Sequence, residues 1–514
     1  MILKQLNRLY VRNYSFKKNI LPQKKQVTQN YLVEAIENKI ITQRDWKLVR
    51  QDIIDNVDNR GQYTKNNVDS LILGYCIKEN KFDLGSHYIN FVKEENISPT
   101  LAFIGKHLKF LYEVNKEKRF INGEGCEKAE EKLILQIYSD LRKDFPVLDS
   151  FSLENIIPAI SLTSEWKKCI ELLKEIEFTN IPNSHAYSCT VAAAFLNNEE
   201  QLAWELLEEI VQHGRNVENI VFFSYFSWLR TFKNRKNTIA KLEQMFLFLQ
   251  SKDLLCELEV VENIINFSSK GNITHIQKGV CQNCSNHLTK FDINNEEFEE
   301  LKTKIFEKVI LGRDVFVKTN PQELKLFEAF MSNSKRFDVV LDGLNIAYSA
   351  GTRQPPRVLA TLLASVVSHF AEKNKEVLVV GRRHMTKWPR DIWSCITEQA
   401  TVFLAQNISQ DDPYLLYCAL NSGKDTIIVT RDLMRSHKFL LNDLRLRILF
   451  NRWLSLRQYQ LVKVVGEGKP IFRHPLRYSV TAQKNGSYWH IPIKPNVSKE
   501  SDNNIQWLCL NLTT

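Results

Sequence analysis

The chain has 514 residues, of which 44% are hydrophobic and 25% are charged, and its net charge is +10. This length is enough for about two to four domains, and this composition is ordinary for a globular protein rather than a disordered or fibrous one. No run of about 18 apolar residues occurs, which excludes the usual membrane-spanning helix.

The first 33 residues form a basic leader. They contain seven Lys or Arg and no acidic residue, because the first carboxylate belongs to Glu34. Leu and Tyr recur at helical spacing in this segment, as is typical of a mitochondrial presequence, and we expect cleavage near Tyr14. We therefore predict that residues 1–33 are a presequence and basic arm and that the protein is in the mitochondrial matrix. A disordered arm that binds RNA is the alternative.

Residues 34–267 have a helical pattern with an internal repeat. The segment Ile170–Ile176 (IELLKEI) recurs 34 residues later as Trp204–Ile210 (WELLEEI). Paired amphipathic helices with a period near 34 residues indicate an N-terminal α-solenoid of the tetratricopeptide or pentatricopeptide type. The concave face of such an array suits RNA or peptides.

From Phe337 the pattern changes to alternating strands and helices. Strands are predicted at 337–342, 376–380, 400–404 and 426–430, and helices at 356–372, 391–399 and 413–420. Continuous apolar strands that alternate with helices indicate a parallel sheet covered on both faces. We predict an α/β domain at residues 334–470, so the fold class is α plus α/β with several domains.

Acidic residues follow several of these strands. Asp342 ends the first strand, Asp432 follows the fourth, and Asp411 and Asp412 stand between the third strand and the next helix. Ligands of open parallel sheets bind beyond the carboxyl ends of the strands, where these four carboxylates would repel one another without cations. The pattern therefore predicts a site for Mg²⁺ or Mn²⁺, with phosphodiester hydrolysis as its chemistry. We further expect Gly343 to leave space for a phosphate beside Asp342.

Two other acidic residues are predicted to lie at the opposite edge of the sheet. Asp338 precedes Asp342 by four residues, which is about 13 Å along an extended strand. Asp425 precedes the fourth strand in the same way. We expect neither residue to bind the cation.

Two cysteines have the spacing of half a zinc site. Cys281 and Cys284 are separated by two residues, and a tetrahedral site needs two further ligands. His287 is the nearest candidate, but His490 and Cys509 near the end of the chain are alternatives, and the spacing does not decide between them. We predict a small zinc-binding domain formed by residues 268–333 together with 471–514, with the metal joining the two segments that flank the α/β domain.

Basic residues stand beside the predicted catalytic acids and are candidates for contacts with RNA. They are Arg382, Arg383, Arg431, Arg435 and His437. Each of them is equally compatible with an ordinary solvated surface position.

The order of motifs resembles one family. Helical repeats are followed by CQNC, FDVVLDGLN, DDPYLLY, TRDLMRSH, WHIP and WLC. This order is similar to that of protein-only ribonuclease P, and in particular to the animal mitochondrial enzymes. The resemblance implies pentatricopeptide repeats, a central zinc domain and a PIN-like (NYN) metallonuclease domain that removes the 5′ leader from precursor tRNA.

The resemblance also implies specific residues and partners. The active-site aspartates of the family correspond to Asp342, Asp411, Asp412 and Asp432, and the zinc ligands correspond to Cys281, Cys284, His490 and Cys509. Animal members of the family require a tRNA methyltransferase subunit and a short-chain dehydrogenase-type subunit. The alternative functions are a noncatalytic organellar RNA-binding pentatricopeptide factor and a PIN-type nuclease that acts on other RNAs.

Overall fold

The computed structural model describes residues 36, 43–55, 64–268, 270–307, 325–327, 329–331, 335–405, 412–432, 434, 441, 443–495 and 505–512. The predicted presequence, Asp411, Arg435 and His437 lie outside these residues. The chain forms two compact units, a helical unit that includes the described residues up to Phe248 and an α/β unit within Thr274–Gly486. Across the residues that the structure describes, no helix is both long and apolar enough to cross a membrane.

The helical unit is built from paired helices. They are α1 (Gln43–Asp55), α2 (Val68–Lys78), α3 (Phe82–Glu94), α4 (Leu101–Lys116), α5 (Lys128–Asp144), α6 (Ser150–Ile160), α7 (Lys168–Glu177), α8 (Ser184–Leu196), α9 (Glu200–Gln212), α10 (Asn219–Leu229), α11 (Arg235–Ser251) and α12 (Leu258–Ser268). Helix α2 packs against α3, and α4, α6 and α8 pack in the same way against α5, α7 and α9. The first helices of successive pairs, from α2 to α12, also pack against each other, so the pairs form a stack.

Capping residues mark the turns between these pairs. The Asp149 carboxylate accepts a hydrogen bond from Ser152 N at 2.9 Å, and the Asn183 side chain accepts one from Ala186 N at 2.8 Å. These two caps are 34 positions apart, so a helix starts at equivalent positions of neighbouring pairs. The predicted helical array is confirmed by this architecture.

The α/β unit contains a six-stranded sheet. Its strands are β3 (Val339–Asp342), β4 (Val377–Arg382), β5 (Thr401–Ala405), β6 (Ile427–Val429), β7 (Gln458–Val465) and β8 (Lys469–Arg473), in the order β5-β4-β3-β6-β7-β8. The first five are parallel to their neighbours, whereas β8 pairs antiparallel with β7. The helices are α13 (Asn295–Ile305), α14 (Gly343–Ala347), α15 (Pro356–Ala371), α16 (Arg390–Gln399), α17 (Asp412–Ser422) and α18 (Leu444–Arg457).

Both faces of the central strands β3, β4 and β6 are buried. Val340 and Ile428 pack into a cluster with residues of α13, α17 and α18, whereas Val339 and Leu341 pack into a second cluster with α15 and α16. Alternate side chains of a strand point to opposite faces, so each buried strand contributes to both clusters. The predicted α/β arrangement is confirmed, and the antiparallel β7–β8 hairpin (residues 458–473) is an addition to it.

A second, smaller sheet contains the strands nearest to the predicted zinc ligands. It consists of β1 (Gly271–Gln277), β2 (Val280–Cys281), β9 (Gln483–Asn485), β10 (Tyr488–Pro492) and β11 (Gln506–Asn511), in the order β2-β1-β11-β10-β9. Strands β10 and β11 pair antiparallel, with His490 directly opposite Cys509. This register fixes two of the predicted ligands side by side.

Candidate active site and metal centre

Asp342 stands at the end of a fully buried strand. Helix α14 starts directly after it, and Asn345 N donates a hydrogen bond to Asp342 Oδ1 at 3.0 Å. The hydroxyl of Thr430 donates to the other carboxylate oxygen, Oδ2, at 2.8 Å. The side chain is only 7% exposed, so these donors replace water and hold the carboxylate in one orientation.

Asp432 lies beside Asp342 at the same edge of the sheet. Strands β3 and β6 are parallel neighbours, with Leu341 opposite Val429, and Asp432 follows β6. Thr430 joins the two acidic residues, because its hydroxyl oxygen also accepts a hydrogen bond from Asp432 N at 3.1 Å. The Asp432 carboxylate accepts a hydrogen bond from Met434 N at 2.7 Å and is exposed. The structure thus places both residues at one edge of the sheet, with Thr430 between the Asp342 carboxylate and the Asp432 backbone.

Two further side chains fix the segment that carries Asp432. The Asn345 side-chain oxygen accepts a hydrogen bond from Arg431 N at 2.9 Å. Gln458, the first residue of β7, donates through Nε2 to the carbonyl oxygens of Thr430 at 3.0 Å and Asp432 at 2.7 Å. The sequence pattern did not single out Thr430 or Gln458, because only strand pairing reveals what their side chains contact.

The expectation for Gly343 is wrong. A Cβ atom at this position would lie 3.0 Å from both the Val380 carbonyl oxygen and Met385 Cε. The residue is buried, and glycine is required there by the close approach of α14 to β4 rather than by a bound phosphate.

The other predicted aspartates are described only in part. Asp412 is the first residue of α17, which follows β5, but its side chain is outside the described residues, as is the whole of Asp411. The two contrasting acidic residues are at the opposite edge, as expected. Asp338 accepts a hydrogen bond from Glu376 N at 3.0 Å, and Asp425 forms an ion pair with Arg457 at 2.6 Å.

Three of the five candidate RNA-contact residues are described, and they lie near the same edge of the sheet. Arg382 is the last residue of β4 and is half-buried, and Arg383 follows it and is exposed. Arg431 is exposed between Thr430 and Asp432. These guanidinium groups place positive charge at the edge that carries the two carboxylates, as a site for a polyanion requires.

The four predicted zinc ligands come together in the structure. The candidate ligand atoms of Cys281, Cys284, His490 and Cys509 all lie within 4.8 Å of one another. A tight turn positions the first two, since Ser285 N donates to the Cys281 carbonyl oxygen at 3.0 Å. His287 is not a member of this group, and its backbone forms a bridge with Val280 instead.

The group fits a tetrahedral metal ion. Three sulfur atoms and one imidazole nitrogen are a common ligand set for structural zinc, whose ligand atoms lie about 3.3–3.8 Å from one another. Burial lowers the pKa of His490 to about 4, so its ring is neutral near pH 7 and retains a lone pair for a metal. The carboxylates of Asp342 and Asp432 offer the oxygen ligands that Mg²⁺ or Mn²⁺ prefers.

Comparison with known proteins agrees with these features. The sequence model of the family described as "Protein-only RNase P" matches residues 276–509. The chain is 32% identical over 395 residues to the "Mitochondrial ribonuclease P catalytic subunit" of Mus musculus, a match that covers 74% of this chain and 67% of the mouse protein. The Rattus norvegicus protein of the same name is also 32% identical over 395 residues, covering 74% of this chain and 66% of the rat protein.

Solved structures show the same fold. The crystal structure of nuclear proteinaceous RNase P 2 from A. thaliana matches with a TM-score of 0.57 and 16% identity, covering 87% of this chain and 99% of the plant chain. A second structure of that plant enzyme gives a TM-score of 0.54 and 14% identity with the same coverage. The chain therefore belongs to the protein-only RNase P family and is an endoribonuclease that removes the 5′ leader from precursor tRNA.

Proposed function

We propose that this chain is the catalytic subunit of a mitochondrial ribonuclease P, which hydrolyses one phosphodiester bond and leaves a 5′-phosphate on the tRNA. The observation that carries the site assignment is the Thr430 bridge between Asp342 and the segment of Asp432. Two carboxylates at the carboxyl edge of a parallel sheet suit a nuclease better than a noncatalytic RNA-binding protein, which has no need of them.

Each residue of the candidate site has a role in this mechanism. Asp342 and Asp432 bind Mg²⁺ or Mn²⁺, with Asp411 and Asp412 as further ligands. When bound, such a cation lowers the pKa of a water molecule and stabilises charge on the leaving oxygen. Thr430 and the backbone N–H of Asn345 orient the Asp342 carboxylate.

Positively charged side chains hold the RNA in this mechanism. Arg382, Arg383 and Arg431 neutralise its phosphates beside the carboxylates. Arg435 and His437, which lie outside the described residues, are further candidates for such contacts. Such contacts position the substrate without reading its sequence, as phosphate contacts generally do.

The remaining assignments concern architecture and location. We assign the helical unit to the pentatricopeptide type and the α/β unit to the NYN type, with the domain boundaries predicted from the sequence. Cys281, Cys284, His490 and Cys509 bind a structural Zn²⁺. We place the protein in the mitochondrial matrix, where a tRNA methyltransferase subunit and a short-chain dehydrogenase-type subunit present the precursor tRNA.

The test is a cleavage assay with the full chain and an end-labelled mitochondrial precursor tRNA in Mg²⁺, with the two partner subunits added or omitted. We expect a single cut at the mature 5′ end only when the partners are present, and none after chelation. Asp432→Asn removes cleavage, whereas Asp338→Asn at the opposite edge of the sheet retains it. Full cleavage by Asp432→Asn would reject the site, and efficient cleavage by wild type alone would reject the requirement for partners.

A further inference from the structure

The β7–β8 hairpin extends from the catalytic edge of the sheet. Strand β7 pairs in parallel with β6 only through Ile428–Gln458 and Val429–Tyr459, and it then continues as far as Val465. At about 3.3 Å per residue, these six further residues carry it up to about 20 Å past the level of Val429. Because Asp432 follows β6 in the same direction, the hairpin runs beside and beyond the end of the strand that carries this carboxylate.

One face of the hairpin is buried against α15. Leu461 and Phe472 are directly opposite each other and belong to the same core cluster as Phe370, whose ring centroid lies 5.5 Å from that of Phe472. Val464 and Pro470 form the next pair on this face; Val464 is half-buried and Pro470 is buried. The hairpin is therefore held on the domain by an apolar face of its own.

The opposite face is exposed and basic. Lys469 and Arg473 lie on it at alternate positions of β8, and Lys463 of β7 stands opposite Ile471 between them. Ile471 is 42% exposed, and Val462, at the irregularity in β7, is 56% exposed. Between residues 458 and 477 the sequence contains a single acidic residue, Glu467, in the turn.

We propose that this exposed face binds the phosphate backbone of the precursor RNA beside the catalytic edge. The identity of the RNA rests on the proposed function, whereas the preference for a polyanion rests on the face itself. Lys469 and Arg473 are about 13 Å apart along β8, with Lys463 midway between them, so the three cations form a row suited to successive phosphates. Lys469 and Lys463 stand directly opposite Val465 and Ile471, so cations and apolar side chains alternate on this face.

The test compares two charge reversals of equal size in the full chain. The hairpin variant is Lys463→Glu with Lys469→Glu, and the control is Lys335→Glu with Arg336→Glu, two exposed cations that precede β3 at the opposite edge. Kd for precursor tRNA is measured by fluorescence anisotropy over a range of KCl concentrations, with Ca²⁺ replacing Mg²⁺. We expect the hairpin variant to bind on the order of ten-fold more weakly, with a salt slope reduced by about 1–2, because each lost phosphate contact lowers the slope by somewhat less than one.

Cleavage assays then separate this proposal from the proposed function. In Mg²⁺ we expect the hairpin variant to raise KM and leave kcat within about two-fold, and the control to resemble wild type. The neutral variant Lys463→Gln with Lys469→Gln is expected to lie between them, and it replaces the charge reversal if that variant does not fold. Unchanged Kd and salt slope would overturn the proposal even if wild type cleaves normally. If unchanged Kd and salt slope were accompanied by lost cleavage in the complete assembly, the face would bind a partner protein instead of RNA. Failure of wild type to cleave would instead reject the proposed function.

Discussion

A single hydroxyl group links the Asp342 carboxylate to the backbone of Asp432 in the proposed active site. Thr430 is 1% exposed, and its oxygen donates to Asp342 and accepts from the backbone of Asp432. The bond to Asp342 is buried, so water does not replace it when it is lost, and the bond from Asp432 N is partly buried. The orientation of the Asp342 carboxylate and the position of the Asp432 backbone therefore both depend on this side chain.

Replacing Thr430 should reduce catalysis beyond its effect on stability. Thr430→Val keeps the shape and removes both hydrogen bonds, so we expect kcat to fall about ten- to a hundred-fold and the Mg²⁺ requirement to rise, because small displacements of catalytic groups are costly. The measurement is the rate of leader removal as a function of Mg²⁺ concentration.

The matched control is at the other end of the same strand. Thr426 is also buried, and its hydroxyl donates to the Phe337 carbonyl oxygen at 3.0 Å, far from the carboxylates. Thr426→Val should lose a similar stability, about 1–2 kcal/mol, with kcat retained. Equal effects of the two substitutions on kcat would show that Thr430 has only a structural role.

The sequence predicted where the acidic residues lie better than it predicted which side chains contact them. The sequence placed Asp342 and Asp432 at one edge of the sheet because they lie at or beyond the carboxyl ends of parallel strands. It placed Asp338 and Asp425 at the opposite edge because they lie at the amino ends of such strands. Thr430 and Gln458 were missed because their roles depend on the pairing of β6 with β3 and β7. Gly343 was misinterpreted because the sequence alone does not show whether a ligand or a neighbouring strand approaches a glycine that follows a strand.

Among the secondary-structure elements, the small sheet depends on the group of four metal-binding residues. Strand β2 has only two residues, and one of them is Cys281. A strand this short has few hydrogen bonds of its own, so a metal that joins it to His490 and Cys509 would supply a large part of its stability.

Removing one ligand should therefore lower both metal content and stability. For Cys284→Ser we expect the zinc content to fall well below one per chain and Tm to fall by about 5 °C or more. Metal is measured by mass spectrometry of the purified protein, and Tm by circular dichroism. Cys395→Ser, on α16 and outside the group, is the control. A stable wild-type protein that contains no zinc would refute the assignment.

Close packing between helices of the stack gives a prediction for α3. A Cβ atom at Gly85 would overlap the ring of Phe110 on α4, whereas one at Gly74 on α2 would meet only the flexible end of Lys106 at 3.6 Å. Gly85→Ala should lower the unfolding free energy by about 1–3 kcal/mol because α3 and α4 must separate. Gly74→Ala should be neutral or stabilising by up to about 1 kcal/mol, since alanine favours helix. Urea unfolding followed by helical circular dichroism measures both, and equal effects would contradict the described α3–α4 packing.

The elements themselves were predicted unevenly. Repeats and alternating strands indicated the helical stack and the sheet from β3 to β6, because their apolar patterns are regular. The β7–β8 hairpin was missed because its exposed face mixes Val462, Val465 and Ile471 with lysines, which hides the alternation of a half-buried strand.

For the whole molecule, one half-buried and one buried histidine predict loss of stability in acid. Burial lowers the pKa of His107 on α4 and of His490 on β10 to about 4 in each case. Both rings are neutral in the folded protein, whereas unfolded histidine takes up a proton near pH 6.5. Their contribution is thus complete above about pH 6.5 and is lost as the pH falls towards 4. Burial also disfavours the charged ring of His185, but Cys189 and Glu218 outweigh it and raise the pKa to about 10, so this residue acts in the opposite direction.

His107 allows the effect of pH on stability to be measured separately from metal binding, because it does not belong to the metal-binding group. Between pH 7.5 and 5 we expect wild type to lose about 2 kcal/mol of unfolding free energy through this residue, and His107→Leu to lose that much less over the same range. The measurement is urea unfolding at both pH values, followed by circular dichroism at a helical wavelength. His275→Leu, at an exposed position of β1, should keep the wild-type pH dependence. If the unfolding free energies of wild type and His107→Leu changed equally with pH, the His107 ring would be hydrated in the folded protein. The acid sensitivity would then have to arise from the metal-binding group around His490.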